Sequence, residues 1–186
     1  MTERILITGP TKSGKSEWAE QLALQSTQTV VYVATSSVNG EDADWQARIE
    51  MHRQRRPDAW RTLEEPIALA QALQQARPDE CWLVDSLGTW LANCLELSAT
   101  DWQETTDGLL DAIARFPGTL ILVAEETGWG VVPAYPLGRT FRDRLGVLTR
   151  QVGAIADVTY LVVAGFAIAL NTMGIPTLSK ADSQPD

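Results

Sequence analysis

Histidine occurs once in these 186 residues and cysteine twice. Two cysteines, Cys81 and Cys94, are too few for a disulfide framework or a thiolate metal site. Flanking an apolar run, they read as reduced core thiols. Positive charge is also short, with 15 Lys and Arg against 24 Asp and Glu and a formal net charge of −9. General nucleic-acid binding rests on neutralising phosphates with Lys and Arg, so this balance argues against it. A local basic patch for one small anionic ligand remains open. Long apolar runs are missing as well: the longest, "VTYLVVAGFAIAL" at 158–170, falls short of the roughly 20 residues that span a bilayer. The opening "MTERILITG" has neither the basic n-region nor the apolar h-region of a secretory signal. The expectation is a cytoplasmic protein with no membrane span.

What is present is ordinary for a globular chain, with 45% hydrophobic and 21% charged residues. The length suits one domain over 1–178, with a flexible tail at 179–186 ("SKADSQPD"). Near-continuous apolar runs at 4–8, 29–35, 81–85, 119–125 and 158–164 suit strands buried on both faces of a sheet. Helical patterns fall between them at about 14–26, 42–55, 66–77, 87–97, 101–116 and 138–156. In the last, Phe141, Leu145, Leu148, Val152 and Ile155 recur at helical spacing and predict a core-facing stripe. The alternation predicts a three-layer α/β domain.

The strongest local signal is "GPTKSGKS": Gly9, Pro10, Thr11, Lys12, Ser13, Gly14, Lys15 and Ser16. A strand precedes it and a helical pattern follows, the context a phosphate-binding loop requires. The glycines let backbone N–H groups face a phosphate, and the helix N-terminus adds its positive dipole end. In such loops the lysine reaches the β- and γ-phosphates and the Ser16 hydroxyl holds Mg²⁺.

A metal bound there needs an acidic partner. The run "CWLVD" ends in Asp85, and a strand's C-terminal end would bring that carboxylate to the phosphate site. The competing reading of Asp85 is an N-cap for the helix that follows. Glu125 closes "TLILVAE" in the same way and could contact the metal, its water or the acceptor, or be a solvated loop carboxylate. "DSLG" at 85–88 also fits the Asp-x-x-Gly switch of GTPases. The only echo of a guanine-reading element, "SKAD" at 179–182, has no room for the helix that should follow.

The single histidine lies in "RIEMHRQRRP" at 48–57. On a helix, Arg48, His52 and Arg55 fall within about 60° of one another, and Arg56 adjoins them. Guanidinium groups suit triphosphate recognition, and neighbouring cations hold an imidazole neutral and so nucleophilic. Composition alone also allows a solvated basic face, with Arg53 turned further round the helix.

Taken in order, "GPTKSGKS", "VVYVAT", "RIEMHRQRRPDAWRTLEEP", "LVDSLGTWLAN" and "EETGWGVVPAYPLGRTFRDRLGVLTRQVGAIADVTYLVVAG" resemble the bifunctional adenosylcobinamide kinase/adenosylcobinamide-phosphate guanylyltransferase family of cobalamin biosynthesis. The resemblance spans nearly the whole chain. It implies a P-loop NTPase-like fold with a mostly parallel central sheet, and assembly as a homotrimer. It implies that ATP or GTP phosphorylates the aminopropanol hydroxyl of adenosylcobinamide. It further implies that His52 takes GMP covalently from GTP and passes it to adenosylcobinamide phosphate. Within the segments that carry it, Thr35 and Glu64 join the candidate nucleotide contacts, and Ser86 stands where the family commonly has cysteine. A monofunctional P-loop small-molecule kinase would not need His52, and a GTP-binding switch module would need the missing base-reading element.

Overall fold

A computed structural model of the protein describes residues 2–36 and 56–177. Seven strands, β1 (Glu3–Gly9), β2 (Thr29–Ala34), β3 (Arg61–Glu64), β4 (Glu80–Asp85), β5 (Thr119–Glu125), β6 (Val158–Val163) and β7 (Phe166–Ala169), form one sheet. Their order is β3-β2-β4-β5-β1-β6-β7. All neighbours are parallel except β6 and β7, which are antiparallel. The helices are α1 (Lys15–Gln25), α2 (Leu69–Leu73), α3 (Leu87–Asn93), α4 (Ala99–Ala114), α5 (Pro136–Ile155) and α6 (Leu170–Met173).

Because successive strand side chains point to opposite faces, each apolar run feeds two cores. In β1, Ile5 and Ile7 pack with Ala19 and Ala23 of α1. Leu6 packs instead into the larger cluster with α2, α3, α4 and α5. The sheet is thus sandwiched as expected. Burying each such aliphatic side chain contributes roughly 1.5–3 kcal/mol relative to leaving it exposed. The stripe on α5 is as predicted: Leu145, Leu148 and Val152 are buried, and Phe141 and Ile155 pack against the same core. Cys81 and Cys94 are free and buried. Burial pushes the Cys81 thiol up to about 11 against a weaker downward pull from Ser26, and raises that of Cys94 too, so both are inert core groups.

Three elements differ from the expectation. The apolar run at 158–170 is a hairpin, in which Ala164 and Gly165 (φ 51° and 80°) turn the chain from β6 into β7. Residues 61–64 add the edge strand β3, beside β2. The helix predicted at 66–77 is regular only over Leu69–Leu73. The predicted helix at 42–55 and the tail at 179–186 lie outside the described residues. Among the described residues, no helix is long and apolar enough to cross a membrane.

Candidate active site

The loop between β1 and α1 lies at the C-terminal ends of the parallel strands. Gly14 precedes the helix in the left-handed region, with φ 99°, a conformation that carries little penalty only without a Cβ. The first backbone N–H groups of α1 have no intrahelical partner, so the loop and the helix start present donors together. Lys15 is 8% exposed, and its ammonium donates to the Pro10 carbonyl at 3.1 Å. Among the described residues, the buried hydroxyls of Thr8 and Ser13 have no hydrogen-bond partner. A phosphate there would satisfy donors that the chain leaves open. The β6–β7 turn braces the loop from outside, Gly165 N–H donating to the Ser13 carbonyl at 3.2 Å.

Two carboxylates stand at adjacent strand ends. Asp85 ends β4 and accepts a hydrogen bond from the Tyr32 hydroxyl at 3.2 Å. Glu125 ends β5, in register with Gly9 of β1, and the next N–H, from Glu126, donates to the Gly9 carbonyl at 2.8 Å. The Glu125 carboxylate accepts from the Ser86 hydroxyl and from the Gly88 N–H. Burial pushes its pKa up, and the Asp85 charge adds to this; the Ser86 hydrogen bond and Lys15 pull the other way without reversing it. Asp85, Glu125 and Lys15 therefore share one electrostatic neighbourhood. Gly88 makes the arrangement possible, since a Cβ there would run into the Glu125 carboxylate.

Ser86, not Asp85, caps α3. Its Oγ accepts from Thr89 N–H at 3.2 Å, leaving Asp85 outside the helix. The Thr35 hydroxyl fixes Ser86 from the opposite side, donating to its carbonyl at 2.7 Å and accepting from its N–H at 2.8 Å.

The comparisons with known proteins bear on this site. The sequence pattern described as cobinamide kinase / cobinamide phosphate guanyltransferase matches residues 5–170. The chain belongs to this family. It is 42% identical over 172 residues to the bifunctional adenosylcobalamin biosynthesis protein CobP of Pseudomonas aeruginosa, covering 90% of this chain and 96% of that one. It is 35% identical over 181 residues to the bifunctional adenosylcobalamin biosynthesis protein CobU of Escherichia coli, covering 89% and 98%. Among solved structures, the type III secretion ATPase EscN of enteropathogenic E. coli superposes with a TM-score of 0.56 at 14% identity, over 92% of this chain and 44% of that one. A Pyrococcus horikoshii protein superposes with a TM-score of 0.57 at 10% identity, over 95% and 92%. At such identities these two show the shared fold alone.

In this cobinamide kinase and cobinamide phosphate guanylyltransferase, the structure gathers Gly9–Ser16, Asp85 and Glu125 at one end of the sheet. Thr35 is near them, but its hydroxyl is engaged by Ser86. Glu64 is exposed at the end of the edge strand β3, four strands from β1. Arg56 lies with its guanidinium carbon 3.8 Å from the Tyr32 ring centroid. His52, Arg48, Arg53 and Arg55 lie outside the described residues. Of the tryptophans, Trp90 is buried in the larger core, Trp60 packs against the smaller one, and Trp129 is exposed in the loop after β5. Sequence reasoning missed Tyr32, Ser86 and Gly88 as parts of the site. Only Ser86 left a usable signal: with Asp85 closing a strand and α3 starting at Leu87, serine occupies the preferred cap position.

Proposed function

We propose that both reactions of this family run at the loop Gly9–Ser16, with His52 as the covalent acceptor of GMP. In the kinase reaction the aminopropanol hydroxyl of adenosylcobinamide attacks the γ-phosphorus of ATP or GTP and the nucleoside diphosphate leaves. In the second reaction an imidazole nitrogen of His52 attacks the α-phosphorus of GTP, a P–N bond forms, and pyrophosphate leaves. The phosphate of adenosylcobinamide phosphate then attacks that phosphorus and the P–N bond breaks. Adenosylcobinamide-GDP forms and His52 is freed. Splitting one displacement between two anions into two steps is the advantage of covalent catalysis.

The observation that carries this reading is the buried Lys15 beside two strand-end carboxylates, with the Thr8 and Ser13 hydroxyls unpartnered among the described residues, in a chain of this family. Lys15 would neutralise charge on the leaving phosphate oxygens, and Arg48, Arg55 and Arg56 are candidate triphosphate contacts. The oxygen donors Ser16 and Asp85 fit Mg²⁺, a hard cation that keeps several waters and takes phosphate oxygens as ligands. Bound there, it would offset charge on those oxygens. A homotrimer in the cytoplasm belongs to the same reading.

The test is GTP labelled at the α-phosphate, followed by denaturation. The wild type should retain label that acid removes and base does not, and His52→Ala should retain none. Equal labelling of His52→Ala would show that the nucleophile is elsewhere.

A further inference from the structure

Tyr32 joins three parts of the chain that are distant in sequence. It lies on β2 and is 5% exposed. Leu83 of β4 is its register partner and Ala34 pairs with Asp85, so the side chains of 32, 83 and 85 emerge on one face. Its hydroxyl donates to Asp85 Oδ2 at 3.2 Å. Its ring carries the Arg56 guanidinium, whose carbon is 3.8 Å from the centroid. Burial, and then the Asp85 charge, pushes the phenol far above its ordinary range despite the opposing pull of Arg56. Glu20 of α1, also buried, adds a second negative charge near the phenol. Arg56, Glu20 and Asp85 thus all act on the one phenol. In the sequence Arg56 comes four residues after His52.

We propose that Tyr32 is a positioning residue with two separable duties: its hydroxyl orients Asp85 at the phosphate-binding loop, and its ring fixes Arg56, on which GMP capture by His52, four residues earlier in the sequence, depends. A phenol suits both tasks at once. The hydroxyl fixes one carboxylate oxygen, and the π-face holds a guanidinium in a geometry that a lysine ammonium cannot reproduce. The inference rests on the reading of Asp85 as the Mg²⁺ carboxylate and of His52 as the nucleophile.

The two duties are separated by Tyr32→Phe, which keeps the ring and removes the hydroxyl, and by Arg56→Ala, which keeps the hydroxyl and removes the guanidinium that the ring holds. One readout is Mn²⁺ affinity, from the electron paramagnetic resonance of free Mn²⁺, with a GTP analogue whose α–β bridge cannot be cleaved. The other is the rate of His52 labelling from α-labelled GTP at saturating Mg²⁺. Tyr32→Phe should weaken Mn²⁺ binding about tenfold, as loss of a carboxylate's supporting hydrogen bond does at metal sites, and label within about twofold of wild type. Arg56→Ala should label about tenfold more slowly than wild type at saturating GTP, and Arg56→Lys should restore little of that rate. Wild-type Mn²⁺ affinity in Tyr32→Phe, or wild-type labelling in Arg56→Ala, overturns the inference. Asp85→Asn and His52→Ala serve as controls. If Asp85→Asn leaves Mn²⁺ affinity unchanged, or His52→Ala still labels, the underlying reading fails and takes the inference with it. If both controls behave and the variants do not, the inference alone fails.

Discussion

The two ends of the sheet treat their carboxylates in opposite ways. At the N-terminal end, Glu80 is almost fully buried, yet it accepts from the Arg77 backbone and side chain, from Arg61 and from the Trp82 indole. Burial pushes its pKa up, but these donors outweigh it and hold the carboxyl below its usual range. Nearby, Arg4 grips Asp157 through its backbone N–H and two guanidinium nitrogens, at 2.9–3.0 Å. At the C-terminal end, Glu125 is half-buried beside another carboxylate and its pKa is raised. Among the described residues, the hydroxyls of Thr8 and Ser13 also go without partners there. One end of the same strands is saturated with partners and serves stability. The other gathers two carboxylates and a lysine with hydroxyl donors that, among the described residues, are left open for a ligand.

The contrast can be broken by substitution. The largest effect should come from Asp85→Asn at the active end. It should lower the rate of both reactions about a hundredfold and leave the urea midpoint close to wild type. A large loss of stability with modest loss of rate would make Asp85 a structural group. Glu80→Ala should do the reverse. It strands the Trp82 indole and the Arg77 N–H, and it should destabilise by about 2 kcal/mol with little change in kcat for the folded fraction. The stabilisation from Glu80 should persist above its unfolded pKa near about 4.3. It should fade as pH falls through the depressed folded value, because the unfolded chain there binds more protons.

The smallest effect sharpens the comparison by its sign. Glu125 has a raised folded pKa, so the stability tied to its protonation is complete below about pH 4.3 and is lost as pH rises through the folded value. Denaturation of Glu125→Gln between pH 4 and pH 8 should show the difference from wild type moving in favour of glutamine as pH rises. A difference that moves the other way, as expected for Glu80, would erase the distinction between the two ends.

Much of this was legible in the sequence, for identifiable reasons. Four central strands, β1, β2, β4 and β5, are buried on both faces and write themselves, like the half-buried β6, as near-continuous apolar runs. The phosphate loop is dictated by local backbone geometry and so has a local signature. β3 has no such run because it is a short edge strand, half of whose residues, in "RTLE", are charged. The β6–β7 hairpin was hidden because its turn, Ala164–Gly165, is itself small and apolar. The bond between Tyr32 and Asp85 crosses 53 positions, and nothing local to either residue announces it. Gly88 matched a switch motif in the sequence, whereas in the fold it makes room for Glu125.

The central claim is that a single nucleotide site at the C-terminal end of the sheet serves both chemistries. Lys15→Ala tests it most directly, assayed in parallel for γ-phosphate transfer to adenosylcobinamide and for α-labelled GMP captured on the protein. The account predicts that both fall together, by about a hundredfold or more. Loss of phosphoryl transfer with wild-type GMP capture would contradict it and would place the second reaction at a site of its own.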